Sequence, residues 1–168
     1  TVPLMIDSCH PEVFEHVLPF ISGRPVINSI NLEDGGAKHF AEVIKTCREK
    51  NQELEFELLV PDFKGCQDKA LEILASAMPV VFGHNVETVP SWYATVRIGG
   101  DYQRSLGLLQ KAKAKLGAVE TKSSIMLGLG EKDDEVIEVL KDLRSVDCDR
   151  LAIGQYLRPT KDSLDVVE

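Results

Sequence analysis

Apolar runs rich in β-branched residues alternate along this chain with stretches of helical periodicity. The runs are "PLMID", "PVINSIN", "EFELLVP", "PVVFGHNVE", "TKSSIMLG" and "RLAIGQYL". Between them Val13, Phe14, Val17, Leu18 and Ile21 repeat at helical spacing, as do Phe40, Val43, Ile44 and Cys47. So do Tyr102, Leu106, Leu109, Ala112 and Leu116, and then Val136, Ile137, Leu140 and Leu143. The pattern predicts six strand-helix units. Strands apolar on both faces suit a parallel sheet, because each crossover helix buries one face. A full eight-stranded barrel needs about 250 residues, and this chain has 168. The expected fold is a single α/β domain over residues 1–168, a partial TIM-like (βα)6 barrel with a mainly parallel sheet. An open doubly wound sheet and an intertwined dimer are the alternatives. Open sheet edges favour a homo-oligomer.

Local punctuation sharpens the boundaries. Pro11 falls in the first turn of the first predicted helix, where its missing N–H costs little, and Glu12 suits the positive helix end. Pro19 kinks or ends that helix near Leu18. Gly35-Gly36, Gly99-Gly100 and Gly117 mark turns.

Charge and composition then exclude whole classes of function. Nineteen basic against twenty-seven acidic residues give a net charge of -8 without a separate basic cluster, which argues against nucleic acid as a partner. No run reaches the roughly 18 apolar residues of a membrane span, and "TVPLMIDS" reads as neither a leader nor a signal core, so a cytoplasmic protein is expected, natural or recombinant. Cys9, Cys47, Cys66 and Cys148 lie far apart, which predicts reduced, scattered thiols rather than a metal site.

Ligands of parallel α/β proteins gather at the carboxyl ends of the strands. Those ends carry Asp7 and Ser8, Asn28 and Asn31, Asp62, the trio His84, Asn85 and Glu87, then Glu131, and finally Gln155 and Arg158. Asp7, Asp62 and Glu131 also suit the amino ends of the following helices. Asp7 and Glu87 form a proton-transfer pair only if two distant segments meet. His84 is the one titratable group near neutral pKa on this rim, or else a hydrogen-bonded structural histidine. Gly128-Leu129-Gly130 lacks the third glycine of a dinucleotide turn, because Asp133 stands there.

From about Gly35 onward the chain resembles the lipoyl synthase family, through "DGGAKHFAEVIK", "LLVPDFKG", "ALEIL", "FGHNVETVP", "TKSSIMLGLGE", "DLRSV" and "GQYLRPT" in that family's order. The resemblance implies a partial (βα)6 barrel that uses S-adenosylmethionine and two iron–sulfur clusters to insert sulfur into a protein-bound octanoyl chain. It implies that Asn85, Glu87, Gly128, Gly130 and Glu131 surround the S-adenosylmethionine pocket, with Gln155 and Arg158 on the rim of the last strand. The family's C-x-x-x-C-x-x-C loop has no counterpart in the first strand-helix unit. The resulting expectation is no iron–sulfur cluster, no metal ligand, no catalytic residue, and no cofactor beyond weak S-adenosylmethionine.

Residues 1–34 are similar to another family, the pterin-binding barrels of cobalamin-dependent methionine synthase and dihydropteroate synthase, through "MIDS" and "INSINLEDG". That resemblance places Asp7 and Asn28 at pterin-contacting positions. Together the two resemblances predict a recombined or engineered chimera, joined near Glu33 to Gly36, that acts as a scaffold rather than an enzyme. The alternatives are a residual S-adenosylmethionine-binding module and an active lipoyl synthase-like sulfurtransferase.

Overall fold

The computed structural model describes residues 5–7, 13, 16–17, 20, 26–28, 36–53, 55–77, 79 and 81–167. Six strands, β1 (Met5–Asp7), β2 (Val26–Asn28), β3 (Glu57–Leu59), β4 (Val81–Gly83), β5 (Glu120–Leu127) and β6 (Arg150–Gln155), form one sheet in the order of the sequence. Every neighbouring pair is parallel. Right-handed crossovers in an order that never reverses put the described crossover helices on one face. The sheet is therefore a sector of a barrel wall, and the doubly wound alternative, which needs a reversal of strand order, is set aside.

The helices are α1 (Ala37–Lys50), α2 (Gln67–Ala75), the short α3 (Tyr93–Val96), α4 (Tyr102–Leu116) and α5 (Asp133–Ser145), with a 3₁₀ turn at Pro90–Trp92. Their apolar stripes lie where the periodicity puts them: Phe40, Val43, Ile44 and Cys47 of α1 are buried, and so are Leu106, Leu109, Ala112 and Leu116 of α4. Asp101 caps α4 by accepting the Arg104 N–H at 2.7 Å. At the start of helix α5 the Glu135 carboxylate accepts the Lys132 N–H at 3.0 Å, and Asp133 and Asp134 lie in the first turn. The helix expected around Val13 to Ile21 falls mostly outside the described residues, and with it the kink at Pro19 and the position of Cys9.

Burial alternates along β5. Thr121, Ser123 and Ile125 are buried, while Lys122, Ser124 and Met126 are partly open to the inside of the barrel. Lys122 bonds across β4 to Glu57 of β3, which fixes both on that inner face. The β5 face toward the helices is thus polar at two positions where the sequence reading expects apolar residues, and each needs a specific partner. Strand β6 departs further: all six of its residues are exposed, including Leu151 and Ile153.

Candidate functional site

The carboxyl end of β4 carries a bulge. Gly83 pairs with Lys122 and Glu87 bridges to Ile125, so four steps on the β4 side answer three on β5. The ladder closes on both sides of the extra residue: His84 N–H donates to Lys122 O, and Glu87 N–H donates to Ser124 O, both at 2.9 Å. Val86 between them is fully buried and has lost its ladder partners. Its N–H donates instead to the Ser123 hydroxyl at 3.2 Å, and its carbonyl accepts from the Tyr93 hydroxyl at 2.8 Å.

Beyond the bulge the backbone is strained. Thr88 N–H donates to Val86 O at 2.8 Å across Glu87, whose φ is 67°. An i→i+2 bond around a positive φ is a γ-turn of the rare, costly kind. The Thr88 hydroxyl is buried and lacks a partner among the described residues. Arg97 donates to the Asn85 carbonyl and stands 5.8 Å above the Tyr93 ring. The side chains of Asn85 and Glu87 themselves are half-buried and have no hydrogen-bond partner among the described residues. Strain plus unpaired polar groups at the mouth of a parallel barrel is the signature of a ligand site.

The second wall is the turn after β5. Gly128 and Gly130 have φ of 105° and 97°, values that side chains rarely adopt. Glu131 folds back so that its two carboxylate oxygens accept the Gly128 and Leu129 N–H groups at 2.6 and 2.9 Å. Glu131 therefore holds its own turn; the helix cap belongs to Glu135. What approaches the glycines is protein. A Cβ on Gly130 would lie 3.3 Å from Trp92 Cζ2, and one on Gly128 would lie 3.6 Å from Val166. Val167 N–H also donates to Gly128 O at 2.9 Å. Gly130→Ala is expected to destabilise the protein by about 2 kcal/mol, from positive-φ strain and the Trp92 contact. Gly107→Ala, in the interior of α4 with nothing within 4 Å, should instead be neutral or stabilising. Urea titration of the two variants checks the contrast.

The other sequence-expected residues divide. His84 is fully buried, with Nδ1 on Val60 O at 2.8 Å and Nε2 against the Ser105 hydroxyl at 3.0 Å. Since a carbonyl can only accept, Nδ1 carries the proton and the ring is the structural histidine. Burial pushes its pKa down to about 4. Asp62 is not a helix cap: it pairs with Arg104 at 2.6 and 2.8 Å and accepts the Lys64 N–H at 3.2 Å. Arg158 is tied to Asp165 and to the Thr160 and Lys161 carbonyls, so it staples the segment after β6, while Gln155 is exposed on that strand. Asp7 and Asn28 are register partners on β1 and β2. Asp7 stands on β1 and Glu87 beyond the carboxyl end of β4, strands three places apart in the sheet order. Ser8 and Asn31 fall outside the described residues.

The sequence reading missed Ser123, Tyr93 and Thr88. The available signal for Ser123 was "TKSS", three hydroxyls inside a strand that should be apolar. Among the described residues no cluster of Cys, His, Asp and Glu is placed to hold a metal. Burial pushes the Cys47 thiol up to about 11 and raises that of Cys148.

Residues 20–143 match the family model described as the radical SAM superfamily. A lipoyl synthase of Syntrophotalea carbinolica is 51% identical over 144 residues, covering 84% of this chain and 47% of that protein. One from Caldicellulosiruptor saccharolyticus is 53% identical over 170 residues, covering 99% of this chain and 59% of that protein. The chain spans about half the length of these curated relatives. Among solved structures, coproporphyrinogen III oxidase (HemN) from Escherichia coli, titled a radical SAM enzyme, is similar with a TM-score of 0.68 at 18% identity over 88% of this chain and 36% of that one. Streptococcus suis SuiB gives 0.65 at 11% identity over 94% and 35%. These two likenesses support the fold alone.

Three expectations are corrected by these matches. Similarity to a lipoyl synthase covering 99% of the chain runs through residues 1–34 as well, so "MIDS" and "INSINLEDG" need no pterin-binding source and the chimera is withdrawn. The non-catalytic, designed scaffold goes with it, since the relatives are enzymes. The expectation of no cofactor and no iron–sulfur cluster is overturned too, because a radical SAM match implies S-adenosylmethionine and a cluster.

Proposed function

The chain belongs to the radical SAM superfamily, and from that membership we propose that it carries the S-adenosylmethionine-binding rim of a lipoyl synthase, which inserts sulfur into a protein-bound octanoyl chain. The observation that carries this reading is the pair of unpartnered side chains, Asn85 and Glu87, held on a strained bulge at the carboxyl end of β4. The residues fit a nucleoside. Asn85 offers an amide donor and acceptor, and Glu87 offers two acceptor oxygens suited to ribose hydroxyls. Ser124 and Met126 line the inner face of β5 below them, and the orphaned Thr88 hydroxyl sits beside Glu87.

When bound, S-adenosylmethionine supplies one-electron chemistry at an unactivated carbon. The chain's own residues bind and orient it: Glu131 fixes the turn through two amides, and Gly128 and Gly130 let Trp92 and Val167 pack closely behind that turn. Cluster ligation is assigned to none of the described residues.

Calorimetric titration of the purified chain with S-adenosylmethionine tests this reading. Saturable binding is expected, weakened by about tenfold, or 1.4 kcal/mol, in Asn85→Ala and Glu87→Ala alike. A folded parent protein that releases no heat overturns it.

A further inference from the structure

The bulge that presents Asn85 and Glu87 is itself held by side chains. We propose that Ser123 and Tyr93 are positioning residues for S-adenosylmethionine recognition, clasping the Val86 peptide groups from opposite sides and so fixing where the Asn85 and Glu87 side chains point. The proposal rests on the reading of this rim as the S-adenosylmethionine site.

The extra residue of a bulge has no place in the ladder, and Val86 is fully buried, so water cannot satisfy it. A buried N–H or C=O without a partner is costly, which means this conformation persists only if side chains supply the missing bonds. Two do. Ser123, fully buried on β5, accepts the Val86 N–H at 3.2 Å, and Tyr93 donates to the Val86 carbonyl at 2.8 Å. That carbonyl also accepts the Thr88 N–H of the γ-turn, so the tyrosine bond and the strained turn share one atom.

Tyr93 is pinned in turn. Its ring makes an edge-to-face contact with Tyr102 at 5.5 Å between centroids, Arg97 covers its face, and its hydroxyl also interacts with Ser105, the partner of His84. Helix α4 therefore sets the position of Tyr93, Tyr93 and β5 set the bulge, and the bulge sets Asn85 and Glu87. Neither Ser123 nor Tyr93 has a free polar atom on the inner face, so neither is expected to touch the ligand.

Ser123→Ala deletes one side of the clasp, and Tyr93→Phe deletes the other together with the hydroxyl's interaction with Ser105. Val139→Ala, a buried position on α5 away from the rim, serves as a control of comparable destabilisation. Each clasp variant is expected to weaken S-adenosylmethionine binding by about tenfold with native circular dichroism, and the double variant little more than either single one, since both hold the same residue of the bulge. Val139→Ala should bind like the parent. Amide hydrogen exchange at Glu87 should accelerate in both clasp variants and not in Val139→Ala. Clasp variants that lose stability as Val139→Ala does, yet keep parental affinity, overturn the proposal. If the parent binds no S-adenosylmethionine the functional reading falls, and unchanged exchange at Glu87 then overturns the clasp on its own. Should Ser123→Ala fail to fold, Tyr93→Phe decides by the same measurements.

Discussion

Lowering the pH from 7 to 4 is expected to cost the fold about 3 kcal/mol through His84 alone. An unfolded histidine titrates near 6.5, and burial pushes the folded His84 down to about 4. Between those values the unfolded chain binds a proton that the native ring refuses, so stability rises with pH across this window. The contribution is complete above about pH 6.5 and falls as acid is added, with about 2 kcal/mol gone by pH 5. Protonating Nε2 would convert the acceptor facing the Ser105 hydroxyl into a second donor, buried next to Arg97 and Arg104. The carboxylates with lowered pKa, Asp149 among them, lose their own contributions only below the ordinary carboxylate range near 4, which leaves the upper window to the histidine. Urea unfolding of the parent and of His84→Gln at pH 7 and pH 5 checks this: the parent should weaken and the variant stay nearly level. A parent indifferent to this change contradicts a buried neutral His84.

Glu131→Ala is the substitution expected to damage the rim most. The carboxylate gathers two amides of a turn whose glycines sit at positive φ, and alanine leaves both N–H groups and the turn unsupported. Charge-assisted bonds of this type are worth about 1.5 to 3 kcal/mol each when buried. Glu131 is only half-buried, so a loss of about 2 to 3 kcal/mol is expected for the pair together. On the proposed reading of this rim, binding of S-adenosylmethionine should fall by more than about tenfold. Glu131→Gln, which keeps one acceptor, should fall between parent and alanine in both measurements. Thermal unfolding and calorimetry on the three proteins report it; full affinity in Glu131→Ala would return Glu131 to a role in the scaffold alone.

The units were legible in the sequence because hydrophobic periodicity is a local signal. Phe40, Val43, Ile44 and Cys47 announce a buried stripe whatever surrounds them, and they form one. The parallel sheet followed from strands that are apolar throughout. Strand β6 broke that inference, since "RLAIGQYL" reads as a buried strand yet is exposed at every position of β6. Burial depends on what packs above a strand, and the strand's own residues do not record it.

The rim residues were found by reading each strand to its end, a rule of the architecture. What each does there was not legible. The sequence cannot show that Glu131 turns back on its own amides, or that one extra residue before Glu87 creates a bulge, because both are matters of register and backbone dihedral. Ser123 was hidden for the same reason: its role exists only where β4 and β5 fall out of step. The pterin reading failed for a related cause. Polar residues such as Asp7 and Asn28 at strand ends arise in any (βα) barrel, so short pieces like "MIDS" carry the architecture more than a ligand. Similarity across nearly the whole chain outweighs them.

The most direct measurement is the amide NMR spectrum of the ¹⁵N-labelled chain as S-adenosylmethionine is added. Saturable shift changes are expected at Asn85 and Glu87 of the bulge, Ser124 and Met126 of the inner face, and Gly128 through Glu131 of the turn, while the outer surface of α1 and α2 stays silent. Changes confined to that outer surface, or no change at saturating ligand in a folded protein, would contradict a nucleoside site at this rim.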